Sequence, residues 1–231
     1  MPDPTPIVYV VDGDLAVRES LAALIGEAGW RPCVFASAEE FRSDPCHSCP
    51  SCLVVEVVLP GLNGLSLQQR VVRDRADIPI IFMTTHGDVP MTVRAMKAGA
   101  TEFLSKPFSN EVMLNAIRFA LDRSHAAQTA ISEMKALGER YSRLSVRERE
   151  VMSLVVSGRL NKQVASALGI SEVTVKAHRG CAMRKMNVRS LAELVTLAAK
   201  LGIPRDGPSA SNYEASVRRR VEAVQDSPCV A

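Results

Sequence analysis

Four apolar stretches of this 231-residue sequence end in side chains suited to phosphate or metal chemistry. Asp12 and Asp14 follow Ile7 to Val11, Glu56 lies within Cys52 to Val58, Thr84 follows Ile78 to Met83, and Lys106 follows Thr101 to Leu104. Carboxylates suit a hard cation, whereas a hydroxyl and an ammonium suit phosphate oxygens. A second cluster, Cys46-His47-Ser48-Cys49-Pro50-Ser51-Cys52, holds enough ligand types for zinc and part of an iron-sulfur pattern. No fourth spaced ligand follows it, and Cys52 opens an apolar run that aims it inward. The competing readings are a reversible Cys46–Cys49 redox pair and a surface loop with incidental thiols.

These residues need elements that bring them together. Short apolar runs alternate with helical patterns: Leu15 to Ala28, Leu65 to Val72, Met91 to Ala98 and Glu111 to Leu121 follow the four stretches above. Arg31 to Phe35, followed by the capping box Ser37-x-x-Glu40, completes five β-α units. Near-continuous apolar strands alternating with helices predict a parallel sheet covered on both faces, with its ligand site at the carboxyl ends of the strands. All four groups of reactive residues sit at those ends.

Length and composition bound the rest. At 231 residues, two domains are the starting expectation. With 47% hydrophobic and 23% charged residues, collagen-like, wholly disordered and disulfide-scaffold classes are excluded. No apolar run approaches the ~18 to 20 residues needed to cross a bilayer, and Met1 to Pro6 carries no export signal, so the protein reads as cytosolic without a membrane partner. The net charge of +3 conceals an asymmetry. Residues 1–123 hold 11 basic against 15 acidic side chains, a net of −4, while residues 141–204 hold 11 against 4, a net of +7. A compact basic segment points to a polyanion, most simply nucleic acid.

That basic segment reads as four short helices. Ser145-Val-Arg-Glu148 is a capping box opening a helix that carries Val151, Leu154 and Val155 inward and stops at Gly158. Asn161 is placed to cap a second helix through Leu168, and Gly169-Ile170-Ser171 turns into a third helix running to about Met186. Two helices joined by such a turn form a helix-turn-helix, and Leu191 to Leu201 closes the core. On the third helix Val175, Ala182 and Met186 share the core side. Val173, Lys176, Ala177, Gly180 and Arg184 form an opposite stripe of small and basic residues able to enter a major groove. Lys176 and Arg184 are the candidate base-edge or phosphate contacts, with Thr174, His178, Lys185 and Lys162 at backbone-phosphate positions. An isolated Lys or Arg is more often a solvated helix face, and His178 lies near the core boundary, where a structural role competes with a phosphate contact. The +7 charge and the helical signature overturn the bland reading for the stripe as a whole.

At this point the residues resemble known families. VVDGDLAVRESL, CLVVEVVLPGLNGLSL and IIFMTTHGDVPMTVRAMKAGATEFLSKPF are together similar to the receiver domain of two-component response regulators, over about residues 6–123. The resemblance implies a flavodoxin-like (βα)5 fold with five parallel strands, a strand-end aspartate that accepts a phosphoryl group from a sensor histidine kinase, and Mg²⁺ held by neighbouring acids. Thr84 and Lys106 fit the phosphate-contact roles, and Phe103 lies near the switch aromatic. The stretch LSVREREVMSLVVSGRLNKQVASALGISEVTVKAHRGCAMRKMNVRSLAELV resembles the LuxR-type helix-turn-helix of the FixJ/NarL family. It implies promoter DNA, binding as a homodimer and contact with RNA polymerase. Cys181 stands where relatives often carry a basic residue.

Two receiver positions depart from the pattern. The acceptor position reads glutamate, Glu56, within Val55-Glu56-Val57-Val58-Leu59-Pro60-Gly61, and Gly13 replaces the second acid of the usual Asp-Asp pair. A glutamate carboxyl extends ~1.5 Å farther, in a site where in-line transfer wants reacting atoms ~3 to 3.5 Å apart. Loss of an acid at Gly13 weakens Mg²⁺ binding, and Asp14 substitutes only if the loop bends differently. The expectation is a receiver that is not phosphorylated in the usual way and uses no cofactor. Either Glu56 bonds Lys106 or Thr84 and imitates the phosphorylated state, or the domain is a degenerate scaffold for folding or dimerisation. The alternatives are a conventional phosphorylation-gated regulator and a redox- or metal-responsive one acting through Cys46, Cys49 and Cys52. An enzyme-class rival also exists: Val8 to Asp14 is similar to the first motif of haloacid-dehalogenase-like phosphohydrolases, although their customary Thr is Ala16 here. The expected domains are a receiver-like domain at 1–123, a helical linker at 124–140 carrying Ile131, Met134 and Leu137 at helical spacing, the all-α four-helix DNA-binding domain at 141–204, and a disordered tail at 205–231.

Overall fold

A computed structural model describes residues 5–45, 49–59, 64, 67–68, 70–71 and 78–203. The expected helix at Leu65 to Val72 falls mostly outside these residues, as do Cys46, His47 and the tail from Arg205. The chain divides into two compact units, the first ending at Thr129 and the second beginning at Ala130.

The first unit is built on five parallel strands: β1 (Ile7–Val11), β2 (Arg31–Phe35), β3 (Ser51–Glu56), β4 (Ile80–Thr84) and β5 (Glu102–Ser105). Their order in the sheet is β2-β1-β3-β4-β5. The register aligns Val11 with Phe35 on one side and Val55 on the other, and Glu56 with Met83, so the strand ends lie level. Strands β1, β3 and β4 are buried at every residue, as the unbroken apolar runs require of strands covered on both faces. One layer gathers Ile7, Tyr9, Val11, Leu53, Val55 and Phe82 under α2 (Ala38–Ser43) and α3 (Val89–Lys97). There Tyr9 and Phe41 pack edge to face at 5.3 Å. The other layer sets Val8, Val10, Val54 and Ile81 against α1 (Leu15–Glu27) and the start of α4 (Asn110–Ser142).

The capping box at Ser37 forms with a shift. Ser37 Oγ accepts from Glu40 N–H at 3.2 Å, but Glu40 Oε2 accepts from Ala36 N–H, at 2.8 Å, rather than from Ser37 itself. The extended backbone at Ser37 turns the preceding N–H toward the first helical turn. Residues 124–140 are helical, as their spacing predicts, and continue α4 without a break. Ser124 is buried and its Oγ accepts from Ser51 N–H at 3.1 Å, and Gln128 Nε2 donates to the Cys49 carbonyl at 2.9 Å. Leu137 and Tyr141, farther along the same helix, belong to the core of the second unit.

The second unit adds α5 (Val146–Val156), α6 (Asn161–Leu168), α7 (Glu172–Met186) and α8 (Leu191–Leu201). Helix α7 serves two clusters: Val175 packs with Val151, Leu154, Val155, Val164 and Ala165, while Ala182 and Met186 pack with Met152, Leu194, Ala198 and Leu201. Gly169 at φ +65° ends α6 in the left-handed region, where an L side chain is strained. Helix α6 starts one residue earlier than expected. Leu160 is its cap, Gln163 Oε1 accepts from Leu160 N–H at 2.8 Å, and Asn161 is the first helical residue. At the start of α5 the Ser145–Glu148 capping box is complete. Glu148 is buried and takes a third bond, from Lys185 Nζ at 2.6 Å. Among the described residues no helix is long and apolar enough to cross a membrane.

Burial pushes the Glu148 carboxyl up, but the bonds from Lys185 and Ser145 outweigh it and hold the group below its ordinary value. A lowered carboxyl pKa contributes stability that is complete above the ordinary glutamate range near about 4.3 and is lost as pH falls through the group's own, lower value. Glu148→Gln is therefore expected to destabilise the second unit by about 1–3 kcal/mol at neutral pH. Urea denaturation should show the difference between variant and parent shrinking as the buffer is taken into the acid range.

Candidate functional site

The level strand ends converge Asp12, Glu56, Thr84 and Lys106 into one pocket. Asp12 follows β1, Glu56 and Thr84 are the last residues of β3 and β4, and all three are buried. Lys106 Nζ lies 2.8 Å from Glu56 Oε2 and 2.9 Å from Asp12 Oδ2, bridging two carboxylates 50 and 94 residues away in sequence. The remaining oxygens are also engaged: Glu56 Oε1 accepts from Val58 N–H at 3.3 Å and Asp12 Oδ1 from Asp14 N–H at 2.9 Å. Burial alone would lower the Lys106 pKa, yet its bonds to Glu56 and Asp12 outweigh that and raise it. The Thr84 hydroxyl is turned to its own turn, accepting from His86 N–H at 3.2 Å.

Asp14 does not join the pocket. Its Oδ1 accepts from Ala16 N–H at 2.8 Å and caps α1, because an aspartate just before a helix gains more from satisfying orphan N–H groups than from approaching two other carboxylates. That position also removes the second acid that the phosphohydrolase reading requires. Arg18, which the sequence reading passed over, donates from Nη1 to the carbonyls of Asp12 at 2.7 Å and Gly13 at 3.0 Å. Its place one turn into α1, six residues after Asp12, was the available signal. Two glycines allow close approach beside these residues. A Cβ at Gly64 would lie 2.6 Å from the Glu56 carbonyl, and one at Gly87 would lie 2.9 Å from the half-buried Phe103 ring, which packs against Phe82 at 6.2 Å.

Among the described residues two carboxylates, Asp12 and Glu56, face the position where a hard cation would be held. The two carboxylates share one ammonium, Gly13 has no side chain to offer, and Asp14 is held at the helix cap. Cys49 and Cys52 are buried, and burial pushes both thiols up, against the thiolate that redox exchange needs.

In the second unit α7 follows α6 across the Gly169–Ser171 turn, with Ser171 Oγ accepting from Thr174 N–H at 3.1 Å. Val173 (77% exposed), Lys176, Ala177 and Arg184 lie in the open opposite the buried face, and Gly180, Thr174 and His178 are half-buried. The Thr174 hydroxyl is paired with Ser171 at 2.8 Å. Lys162 is exposed in the first turn of α6. Lys185 is drawn to Glu148 instead of projecting freely, since a buried carboxylate binds an ammonium more tightly than water does. Arg179, absent from the sequence reading, donates to Asn161 Oδ1 at 3.5 Å and links α7 to α6.

Removing the ammonium leaves two buried carboxylates face to face. Lys106→Met is expected to cost the first unit about 3 kcal/mol, near the lower end for breaking a buried ion pair because Lys106 keeps some contact with water. A raised lysine pKa keeps its contribution complete below the ordinary lysine range and loses it only as pH climbs through the higher value, so the deficit should stay constant from about pH 6 to 9. Adding Glu56→Gln should restore part of it, and thermal melts of the parent and both variants measure this.

The chain matches "Response regulator receiver domain" over residues 8–118 and "Bacterial regulatory proteins, luxR family" over residues 142–198. It is 46% identical to Nodulation protein W of Bradyrhizobium diazoefficiens over 200 residues, covering 85% of this chain and 87% of that protein. To the transcriptional regulatory protein FixJ of Azorhizobium caulinodans it is 40% identical over 203 residues, covering 88% and 96%. The solved structure of the response regulator StyR superposes with a TM-score of 0.78 at 45% identity, covering 85% of this chain and all of that one. A five-stranded flavodoxin-like sheet, a luxR-type helical unit and relatives of this closeness show that the chain belongs to the FixJ/NarL family of response regulators, which are DNA-binding transcriptional regulators and not enzymes.

Proposed function

We propose that this regulator binds promoter DNA without a phosphoryl group on its receiver. The observation that carries the reading is the ion pair at the acceptor position: Glu56 Oε2 lies 2.8 Å from Lys106 Nζ, with Asp12 on the same ammonium. In-line attack needs a carboxylate free to meet a phosphorus ~3 to 3.5 Å away. Here the carboxyl is one methylene longer and bonded at both oxygens, and Gly13 brings no second acid of the usual pair. The resemblance gives this lysine the role of phosphate contact, so its bond to the Glu56 carboxylate is the contact that mimicry of the charged state requires. Phe103, packed on Phe82 and Gly87, supports the same reading because its ring is turned inward.

The proposed DNA contacts are Lys176 and Arg184, with Val173, Ala177 and Gly180 admitting the helix to the groove and Thr174, His178 and Lys162 along the backbone. Lys185 acts first through Glu148. RNA polymerase in the bacterial cytoplasm is the proposed downstream partner, and a sensor kinase, if one docks, acts through binding instead of transfer. A homodimer is supported by Val89, Val93 and Met96, spaced i, i+4, i+7 on α3 and 77%, 44% and 43% exposed, an apolar face a solvated helix does not need.

Incubation with acetyl phosphate and Mg²⁺ is expected to leave the parent without acyl phosphate by intact mass, and its affinity for a selected promoter duplex unchanged. The double variant Glu56→Asp, Gly13→Asp is expected to gain the modification. A stoichiometric acyl phosphate on the parent, required for DNA binding, overturns the proposal. In sedimentation velocity, Val93→Asp is expected to weaken self-association at least tenfold without lowering the melting temperature. A parent that stays monomeric at every concentration removes this face from consideration.

A further inference from the structure

The reading face of α7 is short of donors where it should be richest. By the 3.6-residue period Val173, Ala177 and Arg184 project most directly away from the core residues Val175, Ala182 and Met186, flanked by Lys176, Gly180 and Cys181. Val173, Ala177 and Gly180 offer no side-chain hydrogen-bond donor to a base edge. Arg184 lies at the far end of this face, in the last turn of the helix.

Its side chain does not stay there. Arg184 Nη2 donates to Cys181 Sγ at 3.1 Å, and Nη1 lies 3.9 Å from the point a Cβ on Gly180 would occupy. The guanidinium is therefore folded back by a turn toward the amino end, the direction in which helical side chains lean. Gly180 has no internal reason to be glycine: its φ is not positive, and a Cβ there would meet nothing nearer than that guanidinium. A glycine inside a helix also costs stability relative to alanine. What its smallness leaves open is the lane along which Arg184 reaches the middle of the reading face.

We propose that Arg184, led back over Gly180 and against Cys181, is the specificity-determining residue of this regulator, reading a guanine through its O6 and N7 acceptors. The inference rests on α7 being the helix that enters the groove. A planar guanidinium fork suits guanine, whereas a lysine supplies only a point charge. Gly180 and Cys181 then act as positioning residues that set how far along the helix the fork arrives.

The test uses the full-length chain and a pool of duplexes randomised over their central positions, selected by binding and sequenced, for the parent, Arg184→Ala, Arg184→Lys, Gly180→Ala, Gly180→Leu and Lys176→Ala. Discrimination for one guanine is expected to fall tenfold or more in Arg184→Ala and Arg184→Lys, and to survive in Gly180→Ala, whose added methyl sits at ordinary contact distance. Gly180→Leu should lose preference at the same base, and Arg184→Ala on top of it should take away little more. Melting curves confirm that each variant folds. If Arg184→Ala weakens all duplexes alike and flattens the salt dependence while the motif persists, Arg184 is a phosphate contact and the proposal falls. If Gly180→Leu and Arg184→Ala are additive, or act at different bases, the lane over Gly180 is wrong. If neither Arg184→Ala nor Lys176→Ala changes the motif or the affinity, α7 is not the reading helix, a failure distinct from the other two.

Discussion

One ammonium between two buried carboxylates organises the first unit. Lys106 meets Asp12 and Glu56 at the ends of strands that are neighbours only because the sheet runs β2-β1-β3-β4-β5. Two carboxylates this close and this buried would repel each other and suffer desolvation, and each would be protonated or displaced without a shared cation. The surrounding details follow from keeping that arrangement. Val58 N–H and Asp14 N–H satisfy the outer oxygens, Arg18 holds the Asp12 and Gly13 carbonyls, and Gly64 lets the backbone pass against the end of β3.

The second unit repeats the principle on a smaller scale. Glu148 is a buried carboxylate satisfied by its own capping box and by Lys185 from α7. That bond ties the first helix of the unit to the helix that faces outward, and it takes one of the basic residues of α7 into the structure. The same helix then has three duties around its circumference. Val175, Ala182 and Met186 fill two cores, Lys185 anchors the capping box, and the exposed stripe from Val173 to Arg184 remains for a ligand. Its net charge alone would have suggested more free cations than the geometry leaves.

Much of this was legible before any coordinates. Strand and helix positions followed from unbroken apolar runs and period-3.6 patterns. The helix Leu191 to Leu201 and the inward residues of α7 came out as read, because amphipathic spacing is local information. The misses have a common cause in side chains with two partners available. Asp14 chose a helix cap over the pocket, Lys185 chose Glu148 over solvent, Glu40 reached Ala36 instead of Ser37, and Asn161 became the first residue of α6 instead of its cap. Residues 124–140 are helical as their spacing predicted, but the bonds of Ser124 to Ser51 and of Gln128 to Cys49 join partners more than 70 residues apart and could not be read locally.

The division between the two kinds of information is physical. The sequence alone determined that there is a parallel sheet and a helix-turn-helix, that the chemistry lies at the strand ends, and that glutamate stands at the acceptor position, since periodicity, capping and residue identity are properties of neighbouring residues. Only the tertiary structure decided that Lys106 bridges Asp12 and Glu56, that Asp14 is excluded, and that Arg184 folds back over Gly180. Those outcomes turn on differences of an ångström or so among competing hydrogen bonds, and distances of that kind between residues 50 or 94 positions apart exist only once the sheet has formed.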